Sequence, residues 1–108
     1  MDKDQQKAIN SMAYHQQIRK IVLENSDSAW EGDNLSLDFK LDTVADAKRN
    51  LKMIPLIKKR LALVKKQTAL EARYFSISYY EIDFLIDSIM IGLDQATLDI
   101  QEWLLKNG

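Results

Sequence analysis

Residues 78–105 read SYYEIDFLIDSIMIGLDQATLDIQEWLL, and their spacing decides the fold. Ile82, Ile86, Ile89, Leu93, Ala96, Ile100 and Trp103 follow alternating steps of four and three, the repeat by which a helix keeps one apolar stripe turned to its partners. Ser78-Tyr79-Tyr80-Glu81 has the form of a capping box, so this helix is expected to start at Ser78. It carries a second apolar row, Phe84, Ile91, Leu98 and Leu105, every seventh residue and, at ~100° per residue, roughly on the opposite side. One face cannot satisfy both rows. The second is expected to be buried at a protein interface, with a second copy as partner in a homodimer, because monomeric soluble proteins seldom leave so long a patch in water.

Upstream, Asp42-Thr43 supplies an N-cap for a basic helix reaching Phe75, with Leu51, Ile54, Ile57, Leu61, Val64 and Thr68 spaced three or four apart. Two successive steps of three straddle Pro55, so a kink or restart is expected there. A first helix over 4–24 places Ile9, Met12, Ala13, Ile18, Ile21 and Val22 near one side. Between them, residues 25–34 are dense in turn formers and read as a loop. Leu35, Leu37, Phe39 and Leu41 alternate with polar residues, a strand period over 35–41. A lone strand leaves backbone groups unpaired, so this segment is expected as a strap over the helices or as a strand paired across a dimer. With three glycines and one proline in 108 residues, few turns and long elements follow. The expected fold is a single all-α domain over 1–108, a three-helix antiparallel bundle with its middle helix kinked at Pro55.

Apolar residues make up 46% and charged residues 29% of the chain, the composition of a folded globular protein. There is no cysteine, which removes disulfides, thiolate metal sites and cysteine nucleophiles, and fits the cytoplasm as the expected location. The polar start has no apolar run behind it, so no Sec signal peptide is expected, and no stretch has the length of a membrane span. The net charge of −1 hides a segregation: −3 over 1–42, +7 over 43–75 and −5 over 76–108.

Catalytic constellations are thin. His15 is the only histidine, and the dimetal pattern of helical bundles needs Glu-x-x-His motifs that the chain lacks. Asp83, Asp87 and Asp94 share one edge of the last helix and read as a solvated acidic flank rather than a metal site. Scattered glycines cannot form a phosphate cradle. No catalytic residue, metal or cofactor is expected. Lys48, Lys52, Lys59, Lys66 and Arg73 lie close to one line on the basic helix and could track phosphates. Aromatic residues join that row only at Tyr74 and Phe75, so base stacking is poorly supplied. The competing expectation is that the acidic last helix folds back antiparallel and its carboxylates flank the lysines. A membrane surface would need the apolar stripe that the core uses, so no membrane partner is expected.

Trp30-Glu31-Gly32, in a loop between helices, resembles the Trp-x-Gly hairpin proteins exported by type VII secretion systems. Tyr79-Tyr80-Glu81-Ile82-Asp83 is similar to their Tyr-x-x-x-Asp export signal. The resemblance implies an exported helical-hairpin partner protein whose Trp-x-Gly turn joins two long helices. Here an alternating segment follows the turn and a long helix follows the tyrosines. Read from the residues alone, Trp30 plugs the core between helices and Gly32 takes a positive φ. The expected function is a non-enzymatic helical interaction module, an adaptor, regulator or inhibitor that binds a protein and self-associates through its last helix. The alternative is a nucleic-acid-associated regulator working through 43–75.

Overall fold

The computed structural model describes residues 2–108. Among them, α1 (Lys3–Glu24), β1 (Ala29–Glu31), β2 (Asn34–Ser36), α2 (Val44–Phe75) and α3 (Tyr80–Asn107) follow in order. The framework is the α2–α3 pair. Ile82, Ile86, Ile89, Leu93 and Ile100 of α3 are buried, with Ala96 and Trp103 partly so, as the spacing of 78–105 predicts. Facing them, α2 buries Ala47, Asn50, Ile54, Ile57, Leu61, Val64 and Thr68, an unbroken alternation of threes and fours. Lys58 meets Asp94 and Lys65 meets Asp87, so the two helices run antiparallel.

The phase slip expected at Pro55 is absent. Asn50, not Leu51, holds the seam position, and its amide donates to the Lys40 carbonyl at 2.7 Å. A polar residue in an apolar row hid the regular repeat. Nor does the helix restart: α2 runs unbroken through Pro55. Proline inside a helix costs about 3 kcal/mol, whereas burying Ile54 and Ile57 on either side contributes about 1.5–3 kcal/mol each, enough to hold the helix together.

At the start of α1, Asp2 and Gln5 form a reciprocal capping box. The helix lies antiparallel to α2, with Asn10 at Glu71 and Asn25 at Arg60. Its inner face departs from the expected one. Tyr14, Ile18 and Val22 are buried one turn apart, while Ile9, Met12 and Ala13 are exposed. The polar partners on the same row, Asn10 and Tyr14, turn inward because Glu71 waits for them. With 22 residues against 32 in α2, α1 falls short by ten residues, or about 15 Å, and covers only the end where α2 passes into α3.

The other end is covered by extended chain. The expectation of a lone strand is corrected: Asn34–Ser36 pairs antiparallel with Ala29–Glu31, Trp30 opposite Leu35. Gly32 has φ +57 and is the only positive-φ residue of the two-residue hairpin turn. This is the demand of a type II′ turn on its first central residue. Three residues of strand are too few to show a period, so β1 hid inside a turn-rich stretch. Residues 37–41 leave the ladder as a strap, with Phe39 buried and Leu37 and Leu41 packed on the core. The strap's backbone is satisfied by neighbours: the Asp38 carbonyl accepts from the Asp27 amide at 3.0 Å, Ser28 Oγ accepts from the Asp38 amide at 2.9 Å, and an Asp27 carboxylate oxygen accepts from the Lys40 amide at 2.7 Å. A Cβ at Gly92 would stand 3.1 Å from Leu37 Cδ2, so the missing side chain lets the strap settle on α3.

Helix ends complete the frame. Thr43 caps α2 as expected, in a capping box with Asp46. Partial burial works against the Asp46 charge, but hydrogen bonds from the Asp42 and Thr43 amides and the Thr43 hydroxyl, with Arg49 nearby, hold its carboxyl below the usual range. α2 ends on Ser76 at φ 54, with the Ile77 amide returning to the Ala72 carbonyl at 3.1 Å. The capping box expected at Ser78 does not form. α3 begins at Tyr80, and its N-cap, Tyr79, makes no side-chain cap. Packing sets this boundary instead: the Tyr79 ring is buried edge-on to Tyr14 at 5.6 Å, and its hydroxyl accepts from Asn10 at 3.2 Å.

Candidate interaction surfaces

Two outer faces remain once the seam is closed. On α3, Phe84, Ile91, Leu98 and Leu105 are between 55% and 87% exposed, so none belongs to the internal core. They stand at the heptad position farthest from the seam. The sequence placed this row correctly relative to the first; the chain by itself leaves it uncovered.

On α2, Lys48, Lys52, Lys59, Lys66 and Arg73 are all exposed, and none joins an ion pair among the described residues. The expected match between the two helices is realised by their neighbours. Lys58 reaches Asp94 and Lys65 reaches Asp87, each at 2.6 Å, across the side of the α2–α3 pair away from α1. The hydrogen bond to Asp87, reinforced by its charge and that of Asp83, raises the Lys65 pKa against the opposing effect of partial burial. These pairs are solvent-exposed and worth little in stability, but they set the direction of packing. They also engage two of the three carboxylates on the acidic edge.

Sequence reading missed a third row. Leu56, Leu63 and Leu70 on α2 are 47–69% exposed, one turn from the lysines. Their seven-residue spacing was the available signal. A groove of about 570 Å³ opens beside Pro55, between Lys58 and Lys59 of α2 and Asp94, Thr97 and Leu98 of α3.

Also missed was a partly buried polar cluster joining α1, α2 and the residue that precedes α3. Glu71 accepts from the Tyr14 hydroxyl and the Asn10 amide, and Asn10 reaches Tyr79. Burial, the hydrogen bond to Glu71 and the nearby negative charge push the Tyr14 phenol well above its usual pKa. Burial likewise raises that of Tyr79. Its members thus satisfy one another's polar atoms between α1, α2 and the start of α3. His15 lies exposed on α1 beside Met12, Gln16 and Arg19.

The export-type motifs fall in other settings. Trp30 and Gly32 sit in the β-hairpin rather than a turn joining two helices. There the Arg19 guanidinium stacks 5.0 Å from the Trp30 ring and donates to the Gly32 carbonyl at 2.9 Å. Tyr79–Asp83 opens α3. No helix is long and apolar enough to cross a membrane among the described residues. Comparison of the chain with models of known families, with curated proteins and with solved structures finds no match.

Proposed function

We propose that this protein is a non-enzymatic helical interaction module, an adaptor, regulator or inhibitor that self-associates through α3 and presents its helices to a protein partner. The observation that carries the reading is the row of Phe84, Ile91, Leu98 and Leu105, exposed along about six turns of α3 on a chain whose seam is already filled. Burying such side chains contributes about 1.5–3 kcal/mol apiece, which for four of them is comparable with the cost of association. Sedimentation velocity across a concentration series tests it. The wild-type chain is expected to associate, and Ile91→Glu to be monomeric with its helical circular dichroism intact. A wild-type chain that stays monomeric at high micromolar concentration defeats the reading.

A second reading, a nucleic-acid-associated regulator, rests on the lysine row of α2, which is exposed and free of ion pairs among the described residues. It calls for binding that falls steeply with salt and is abolished by Lys52→Glu, Lys59→Glu and Lys66→Glu together. Weak or absent binding at physiological salt is the expected result.

A further inference from the structure

We infer that the self-association proposed above, on which this inference rests, is head-to-tail: the outer face of α3 in one copy docks on the outer face of α2 in the next. The occupant of the α3 face is thus a second copy of this chain, met through a different helix.

The two faces match in spacing. On α2, Lys52, Leu56, Lys59, Leu63, Lys66, Leu70 and Arg73 form an exposed stripe of alternating basic and apolar residues in steps of four and three. On α3, Glu81, Phe84, Ser88, Ile91, Gln95, Leu98 and Glu102 form an exposed stripe with the same steps. Laid antiparallel with Leu63 opposite Ile91, every position coincides. Leu56 then meets Leu98 and Leu70 meets Phe84, while Lys52 faces Glu102 and Arg73 faces Glu81. Lys59 and Lys66 fall against the neutral Gln95 and Ser88. Over these seven positions apolar residues lie on apolar ones and the two ends close with opposite charges, while Leu105, one step beyond, falls opposite Arg49. Glu81 and Glu102 are available for this, since neither joins an ion pair among the described residues.

Pairing the α3 stripe with itself fails the same test. Aligning its steps antiparallel sets Glu102 against Phe84 and Glu81 against Leu105 of the second copy, so carboxylates would be desolvated on apolar side chains without a cation; the register that lays Phe84 on Leu105 and Ile91 on Leu98 instead sets Glu102 against Asp87, like charge on like. An α2 stripe paired with itself sets lysines on leucines. Only the mixed pairing places charge on opposite charge, and complementarity of this kind selects among otherwise similar apolar contacts. Because each stripe faces away from the seam that α2 and α3 share, a copy that gives its α3 face to one neighbour still offers its α2 face to another. Such a heterologous contact propagates into a ring or an open chain.

Two variants, each blind on one face, separate the pairings. Ile91→Glu disables α3, and Leu63→Glu disables α2. Both sites are exposed, and Leu98→Glu and Leu56→Glu serve in their place should either variant lose its helical circular dichroism. In sedimentation velocity, each variant alone is expected to be monomeric, and an equimolar mixture is expected to form a dimer through the one intact face of each. The wild-type chain should grow past the dimer with concentration, and Lys52→Glu with Arg73→Glu should weaken its association at least tenfold. If Leu63→Glu alone dimerises while Ile91→Glu does not, α3 pairs with α3; the reading of α3 as the association surface then stands and the head-to-tail inference falls. A mixture that stays monomeric also overturns the inference. A wild-type chain that never associates defeats both.

Discussion

The two ends of the α2–α3 pair are closed by different means. At one end α1 lies on the seam with Tyr14, Ile18 and Val22; at the other a five-residue strap does so with Phe39 between Leu37 and Leu41. A helix bonds its own backbone, so α1 needs only a row of side chains. Extended chain has no such provision, and the strap depends on Asp27, Ser28 and Asn50 to satisfy its amides and carbonyls. One cover is therefore held by packing along its length, the other by Phe39, with Leu37 and Leu41 beside it, within a lattice of hydrogen bonds.

That contrast can be broken most forcefully at Phe39. Phe39→Ala removes the only buried side chain of the strap and should lower unfolding stability by about 3–5 kcal/mol. It should also expose 37–41 to proteolysis before the helices unfold. Ile18→Ala, at about 2–5 kcal/mol, should loosen α1 without releasing the strap. Urea titration combined with limited proteolysis reads both. Equal cleavage of the strap in the two variants would mean that the ends are not independent.

A smaller effect is expected at Asn50, where Asn50→Ala leaves the Lys40 carbonyl without its donor and should cost about 1–3 kcal/mol. Asn50→Leu, which restores an apolar seam residue but still strands that carbonyl, should not recover the loss. Full recovery would show that the strap needs no backbone partner there.

The two ends should also respond to pH in opposite directions. Asp46, at the strap end, has a lowered pKa, so its contribution is present above the ordinary carboxyl pKa and is lost as pH falls through the lower folded value. Tyr14, at the α1 end, has a raised pKa, so its contribution is present below the ordinary phenol value of about 10 and is lost as pH rises beyond it. Urea midpoints across pH should lose part of their acid dependence in Asp46→Asn and part of their alkaline dependence in Tyr14→Phe. Profiles unchanged by either substitution would remove these residues from the account. The smallest effect is a gain. Ser76→Gly relieves a left-handed backbone at the end of α2 and should stabilise the chain by about 0.5–1 kcal/mol, seen as a raised thermal midpoint.

Residues that act through spacing were readable. The α3 seam, the outward row of Phe84, Ile91, Leu98 and Leu105, and the Thr43 cap all follow from positions within one turn or one heptad of each other. The alternation of Leu35, Leu37, Phe39 and Leu41 marked the segment as extended, either a strap or a strand paired across a dimer; Leu35 lies in the hairpin and 37–41 forms the strap. Where a polar residue takes a seam position, as Asn50 does, the periodic reading slipped by one residue and assigned a phase change to Pro55. Of the candidate surfaces, both exposed rows named from the sequence lie outside the core, while the leucines of α2 went unnoticed although their repeat was equally regular.

By itself, then, the sequence determined three long helices, the face that α3 turns inward and the segregation of charge between α2 and α3, because periodicity and composition are local properties of the chain. Only the tertiary structure decided which face of α1 is buried, where α3 begins and what β2 pairs with. Asn10 finds Glu71 at a separation of 61 residues and Tyr79 at 69, and Tyr79 in turn overrides the Ser78 cap. A polar side chain is driven inward only when a partner is there to satisfy it, and no spacing along the chain records where that partner will be.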